Sequence, residues 1–132
     1  MSHCKVVLFG EAERGEYQEP RLCQTVSQLV ESFGNPPPGS QGIHYAVQVL
    51  LFHQELIFLR VHEEGFHSQD YFRGVDLLHQ KNLISGVSAI CIPGVGDSEI
   101  INWICSVCKM HHSIMMTTEP DLYDYLTSRL GD

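Results

Sequence analysis

Apolar residues along this chain switch between a short-run pattern and a helical pattern, and the switching predicts strands alternating with helices. Val6-Val7-Leu8-Phe9 is an unbroken apolar run closed by Gly10, which reads as a buried strand. Glu11 to Pro20 is polar and contains glycine, so it reads as a loop. Leu22, Val26, Leu29, Val30 and Phe33 then fall on one helical face, and Gly34 supplies the stop. This predicts a helix over 22–33. Residues 35–44 form a Pro/Gly-rich connector, stiffest at Asn35-Pro36-Pro37-Pro38-Gly39-Ser40.

Tyr45 to Phe52 and Glu55 to Val61 are rich in β-branched, aromatic and leucine residues. They read either as a hairpin around His53-Gln54, or as a helix followed by one strand. His-Gln is poor chemistry for a two-residue turn, but periodicity does not decide between the two readings.

His62 to Gln69 is polar and reads as a loop. Asp70 to Leu83 reads as a helix with Asp70 as its cap and Tyr71, Val75, Leu78 and Leu83 as its apolar stripe. Val87 to Ile92 reads as a strand ended by Pro93-Gly94. Asp97 or Ser98 caps a helix from Glu99 to Met110, and Ser113 to Met116 reads as a further strand. Thr118 then caps a last helix with Pro120 in its first turn, ending before Gly131. The expected fold is therefore α/β: a single three-layer domain over 1–132, with a mainly parallel sheet of about four strands and flanking helices.

Composition narrows the function. With 132 residues, 43% hydrophobic and 18% charged, the chain suits one soluble domain with a core of its own. The eight basic residues stand singly against sixteen acidic ones, a net charge of −8, so no basic face for a nucleic acid is expected. No apolar run reaches the roughly 18 residues that span a bilayer, and no secretory pattern opens the chain. Five cysteines, an odd number, are expected to be reduced thiols in a cytoplasmic protein.

Several motifs touch on chemistry. His62-Glu63-Glu64-Gly65-Phe66-His67 spaces its histidines at i and i+5 with a glycine between, whereas a zinc helix needs i and i+4, so a solvated loop is the better reading. Cys105, Cys108, His111 and His112 could supply four zinc ligands, but they lie along one helix, so core packing is favoured. That cysteine pair also falls near the helix end, not at the start, where the dipole would lower a thiol pKa. Cys91 is followed by acid rather than by the arginine a cysteine phosphatase needs, and Pro93-Gly94-Val95-Gly96 lacks the third glycine of a dinucleotide loop. One enzymatic alternative survives. Glu11, Asp97, Glu99 and Glu119 follow strand ends, where clustered carboxylates could hold Mg²⁺ for phosphoryl transfer. Helix N-termini favour the same residues for their own reasons.

Taken in order, these segments resemble the contractile tail sheath family of phage tails and related injection machines. Val7-Leu8-Phe9-Gly10 through Gly15 is similar to the family's first strand and its acidic or basic-Gly turn. Glu19-Pro20 followed by Val26 to Phe33-Gly34 resembles its proline, short helix and Phe-Gly segment. Tyr45-Ala46-Val47 with Leu56 to Val61 is similar to a Tyr-Ala-Val helix feeding a strand that ends in Arg60-Val61. Gly74 to Leu78 resembles the helix before the next strand, and Ile90-Cys91-Ile92-Pro93-Gly94 the strand ending in Pro-Gly. Ser113 to Pro120 resembles the strand and proline that follow.

The resemblance favours a helix over 45–52. It implies structural roles for Gly10, Gly15, Phe33, Gly34, Tyr45, Arg60, Pro93 and Gly94. It also implies a structural protein that packs against itself or other tail-type proteins, with no chemical step, cofactor, metal or small-molecule substrate. A regulatory protein-binding α/β module unrelated to tails is the other non-enzymatic reading. Sheath subunits carry terminal arms that add strands to their neighbours. By that resemblance the chain is expected to correspond to the N-terminal core alone, without the arms and the C-terminal half.

Overall fold

Val6, Val7, Leu8 and Phe9 are all buried, so both faces of the first strand must be covered. The computed structural model, which describes residues 4–118, places this strand (β1, Lys5–Gly10) at the centre of a five-stranded sheet. The other strands are β2 (Arg21–Cys23), β3 (Glu55–Arg60), β4 (Val87–Cys91) and β5 (Ile114–Met116), in the order β2-β3-β1-β4-β5. β3, β1, β4 and β5 run parallel, with Val7 opposite Ile57 and Leu8 opposite Cys91. β2 runs antiparallel to β3 on the outside.

Among the described residues, four helices cover the two faces. The helices α1 (Val26–Phe33) and α2 (Gly42–Leu51) pack Leu29, Phe33, Ile43, Ala46 and Leu50 against Leu8, Leu56 and Phe58. On the other face, α3 (Ser68–Gln80) and α4 (Ser98–Met110) pack Tyr71, Val75, Leu78, Ile101 and Ile104 against Val7, Phe9, Ile57 and Leu59. The expected three-layer α/β architecture is the one observed. The chain leaves β1 for β3 through α1 and α2, then crosses back over β1 through α3 to reach β4. The winding therefore changes side at β1, and a crevice opens at the carboxyl ends of β1 and β4, where such sheets bind ligands.

The caps explain several boundaries. Thr25 accepts a hydrogen bond from the Gln28 N–H at 3.1 Å and starts α1. Asp97 accepts from the N–H groups of Glu99 and Ile100 at 2.8 and 3.2 Å and starts α4, as its position predicts.

Of the two readings left open over 45–52, the helix is the one observed; it spans Gly42–Leu51, with Phe52 as its C-cap. Other expectations need correction. The start at Gly42 shortens the connector expected over 35–44. The helix expected from Leu22 starts at Val26 instead. Arg21, Leu22 and Cys23 pair with Phe58, Ile57 and Leu56, making the sheet five strands rather than four. Asp70 does not cap α3. The helix begins two residues earlier, after His67 in a left-handed conformation, and ends at Gln80 rather than Leu83. The last helix expected, with Glu119, Pro120 and Asp121, falls outside the described residues.

Candidate functional site

The crevice at the strand ends is lined by Glu11 after β1, His62, Glu63 and Glu64 after β3, and Gly94 after β4. Gln41 ahead of α2 lines it too, as does His67, and its volume is about 530 Å³. Three backbone N–H groups converge on one point. Those of Glu11, Gln41 and Gly42 would form an anion cradle at the N-terminus of α2, where helix dipole and unpaired donors act together. The cradle is filled from within. Glu64 is buried, and its carboxylate accepts from Glu11 at 2.9 Å, Gln41 at 2.8 Å and Gly42 at 2.9 Å. In return, the Glu64 N–H donates to Glu11 Oε2 at 2.9 Å.

The glycines make this closure possible. A Cβ at Gly42 would stand 2.6 Å from the Gly10 Cα and 2.9 Å from Glu64 Oε2. Only two residues without side chains let β1 and α2 approach so closely.

Beside the cradle lies a histidine–aspartate pair. Asp70 is buried, and its Oδ2 stands 2.9 Å from both the His62 N–H and His62 Nδ1. Gln18 donates to Oδ1 at 2.8 Å. Burial pushes the Asp70 carboxyl up, but the hydrogen bonds from the His62 backbone, Gln18 and the His62 ring outweigh it and hold the group below the ordinary carboxylate range. An ionised carboxylate only accepts, so His62 Nδ1 carries the proton and Nε2 the lone pair.

The His62 ring stacks on Tyr17, with centroids 3.8 Å apart and planes 6° from parallel. The Arg60 guanidinium lies 4.2 Å over the same Tyr17 ring and donates to the Gly15 carbonyl at 2.6 Å. Such a pair is a proton acceptor held in place, yet among the described residues no serine, threonine or cysteine lines the crevice to serve as a nucleophile.

Among the described residues, the carboxylates expected from the strand ends do not meet. Glu11 binds the Glu64 backbone, Asp97 caps α4, and Glu99 lines a separate groove with Phe72, Asp76, Asn102, Trp103 and Ser106. Glu119 lies outside the described residues. Among the described residues no group of three or more His, Cys, Asp or Glu side chains is arranged to hold a metal ion.

The cysteine motifs are similarly dispersed. Cys105 is exposed while Cys108 is buried, and all five cysteines are free. Burial pushes the Cys91 and Cys108 thiols up to about 11 and leaves them protonated at neutral pH.

The residues singled out by family resemblance mostly pack on one another. Gly15 lies against the Phe33 ring, Phe33 packs on Phe58 with centroids 4.5 Å apart, and Gly34 sits against Glu13. Gly94 abuts Glu64 and Gly65 behind Pro93. Tyr45 differs, lining a second, apolar groove.

That groove, of about 350 Å³, runs between α2 and the strands β4 and β5. Val6, Val49, Phe52, Cys91, Pro93 and Met116 form its walls. Ile114, two residues from Met116, lies on the same face of β5. Phe52 is 73% exposed, Ile114 67% and Met116 53%. The sheet is thus covered by helices over β3 and β1 but shows apolar side chains at its β5 edge. No described residue pairs with the outer side of β5.

No known protein-family model matches the chain, and no curated protein sequence matches it at a significant level. The site residues that sequence reading missed are Glu64, Asp70 as partner of His62, and the groove walls. Glu64 and His62 stood in a motif read as a solvated loop. Only the carboxyl-end rule for parallel sheets pointed to that place.

Proposed function

We propose that this chain is a structural assembly domain, akin to the core of a contractile tail sheath subunit, which packs against copies of itself without catalysing a reaction. The observation that carries this reading is the apolar β5 edge: Ile114 and Met116 are exposed beside the α2–β4–β5 groove, on a strand whose outer side pairs with no described residue. An apolar surface next to an open strand edge is a template for another chain.

Two further observations support it. The place where parallel sheets hold anionic ligands is filled by Glu64, and Glu11 and Asp97 hold backbone N–H groups of the fold. Five free cysteines suit a reducing compartment, and no described helix is long and apolar enough to cross a membrane.

The test is negative-stain microscopy with light scattering on the purified chain. Rings, tubes or defined oligomers are the expected result. A strict monomer at high concentration would overturn self-packing.

A further inference from the structure

His79 lies in the last turn of α3, and His111 caps the end of α4. Their Nε2 atoms stand 3.2 Å apart, with ring centroids 5.2 Å apart and planes inclined by 53°. His79 Nδ1 lies 3.0 Å from the Val75 carbonyl oxygen. A carbonyl only accepts, so Nδ1 holds the proton and Nε2 presents its lone pair towards His111. Metal-binding imidazoles are commonly anchored in this way, with the second ring nitrogen donating to a carbonyl.

The separation also fits. Two nitrogens bound to one ion at about 2.0–2.1 Å stand roughly 2.8–3.4 Å apart, from cis-octahedral to tetrahedral geometry. The field is favourable as well, because each helix C-terminus carries about half a negative charge and two of them meet here.

We propose that His79 and His111 form a two-imidazole site for a late first-row divalent cation (Zn²⁺, Ni²⁺ or Cu²⁺), which staples the end of α3 to the end of α4. Imidazole nitrogen selects these ions over Mg²⁺ and Ca²⁺. No third described side chain of the usual ligand types joins the pair, so water completes the coordination. The sequence motif that suggested a metal paired His111 with Cys105 and Cys108 on its own helix. The fold pairs it instead with a histidine from the neighbouring helix.

The test uses the full chain without an affinity tag, stripped with EDTA and titrated with ZnCl₂, NiCl₂, CuCl₂ and MgCl₂. Binding is followed by calorimetry and by melting temperature. The expected result is one equivalent bound and a raised melting temperature with the first three salts, and neither with MgCl₂. His79→Gln and His111→Gln should each weaken binding at least tenfold, while His67→Gln and Cys105→Ser leave it unchanged. Melting in EDTA checks that each variant folds. Absence of binding, binding undiminished in either histidine variant, or a loss confined to Cys105→Ser or His67→Gln would overturn the proposal.

Discussion

The Gly42 backbone N–H donates to Glu64 Oε2 at 2.9 Å, so a carboxylate of the chain itself occupies the N-terminus of α2. The same carboxylate takes the N–H groups of Glu11 and Gln41, and thereby ties β1, the 35–41 connector and the loop after β3 together. Replacing Glu64 by Ala would leave three donors without their acceptor. Hydrogen bonds to a charged group are worth about 1.5–3 kcal/mol each and are not additive, so a loss on the order of 3 kcal/mol is expected. Urea denaturation of Glu64→Ala against the native chain measures it. Glu64→Gln should fall between the two, since it keeps an acceptor oxygen.

Gly42→Ala tests the close approach directly. Its Cβ would stand 2.6 Å from backbone at Gly10, which has no flexible side chain to move aside. Overpacking of this kind costs about 1–3 kcal/mol, against the small gain alanine brings to an ordinary helix position. A lowered denaturation midpoint is expected.

Asp70 should give stability a definite pH dependence. Its carboxyl is held below the ordinary carboxylate range in the folded protein. The stabilisation it contributes is therefore fully present above the unfolded value of about 3.9, and it is lost as the pH falls from there through the folded value. Thermal melts of the native chain and Asp70→Asn between pH 7 and pH 3 check this. The gap in melting temperature between the two should be constant above about pH 5 and close towards pH 3.

How much of this was legible in the chain depends on how local each signal is. β1 was readable because four consecutive apolar residues need cover on both faces. The start of α4 was readable because Asp97 caps it from within its own turn. β2 was not, because Leu22 happens to continue the helical spacing of Val26, Leu29 and Phe33. What makes 21–23 a strand is pairing with β3 more than thirty residues away.

The site was harder to read for the same reason. Asp70 looks like a helix cap in sequence, and it becomes a buried partner of His62 only once the loop after β3 turns back over α3. Glu64 binds main-chain groups from residues 11, 41 and 42, and backbone donors leave no mark in a sequence. His79 and His111 are 32 positions apart, a separation no spacing rule covers.

The thiols offer a quick check of the two core layers. Cys4 and Cys105 are exposed, whereas Cys23, Cys91 and Cys108 are buried. Burial raises the thiol pKa at Cys23, Cys91 and Cys108, and at Cys105 as well, so exposure is what separates the two sets. An aromatic disulfide reagent at pH 8 should therefore label Cys4 and Cys105 in the native state. The other three should react only after denaturant is added.

The central claim is that the β5 edge joins copies of this chain. Sedimentation velocity over a wide range of protein concentration tests it most directly, comparing the native chain with Ile114→Lys. Ile114 is exposed, so the lysine disturbs no core packing but places a charge on the edge. The expected result is a mass that rises with concentration above the 14.9 kDa of one chain and returns to it in Ile114→Lys. A native chain that stays at one-chain mass throughout, or an association that Ile114→Lys leaves untouched, would contradict the account.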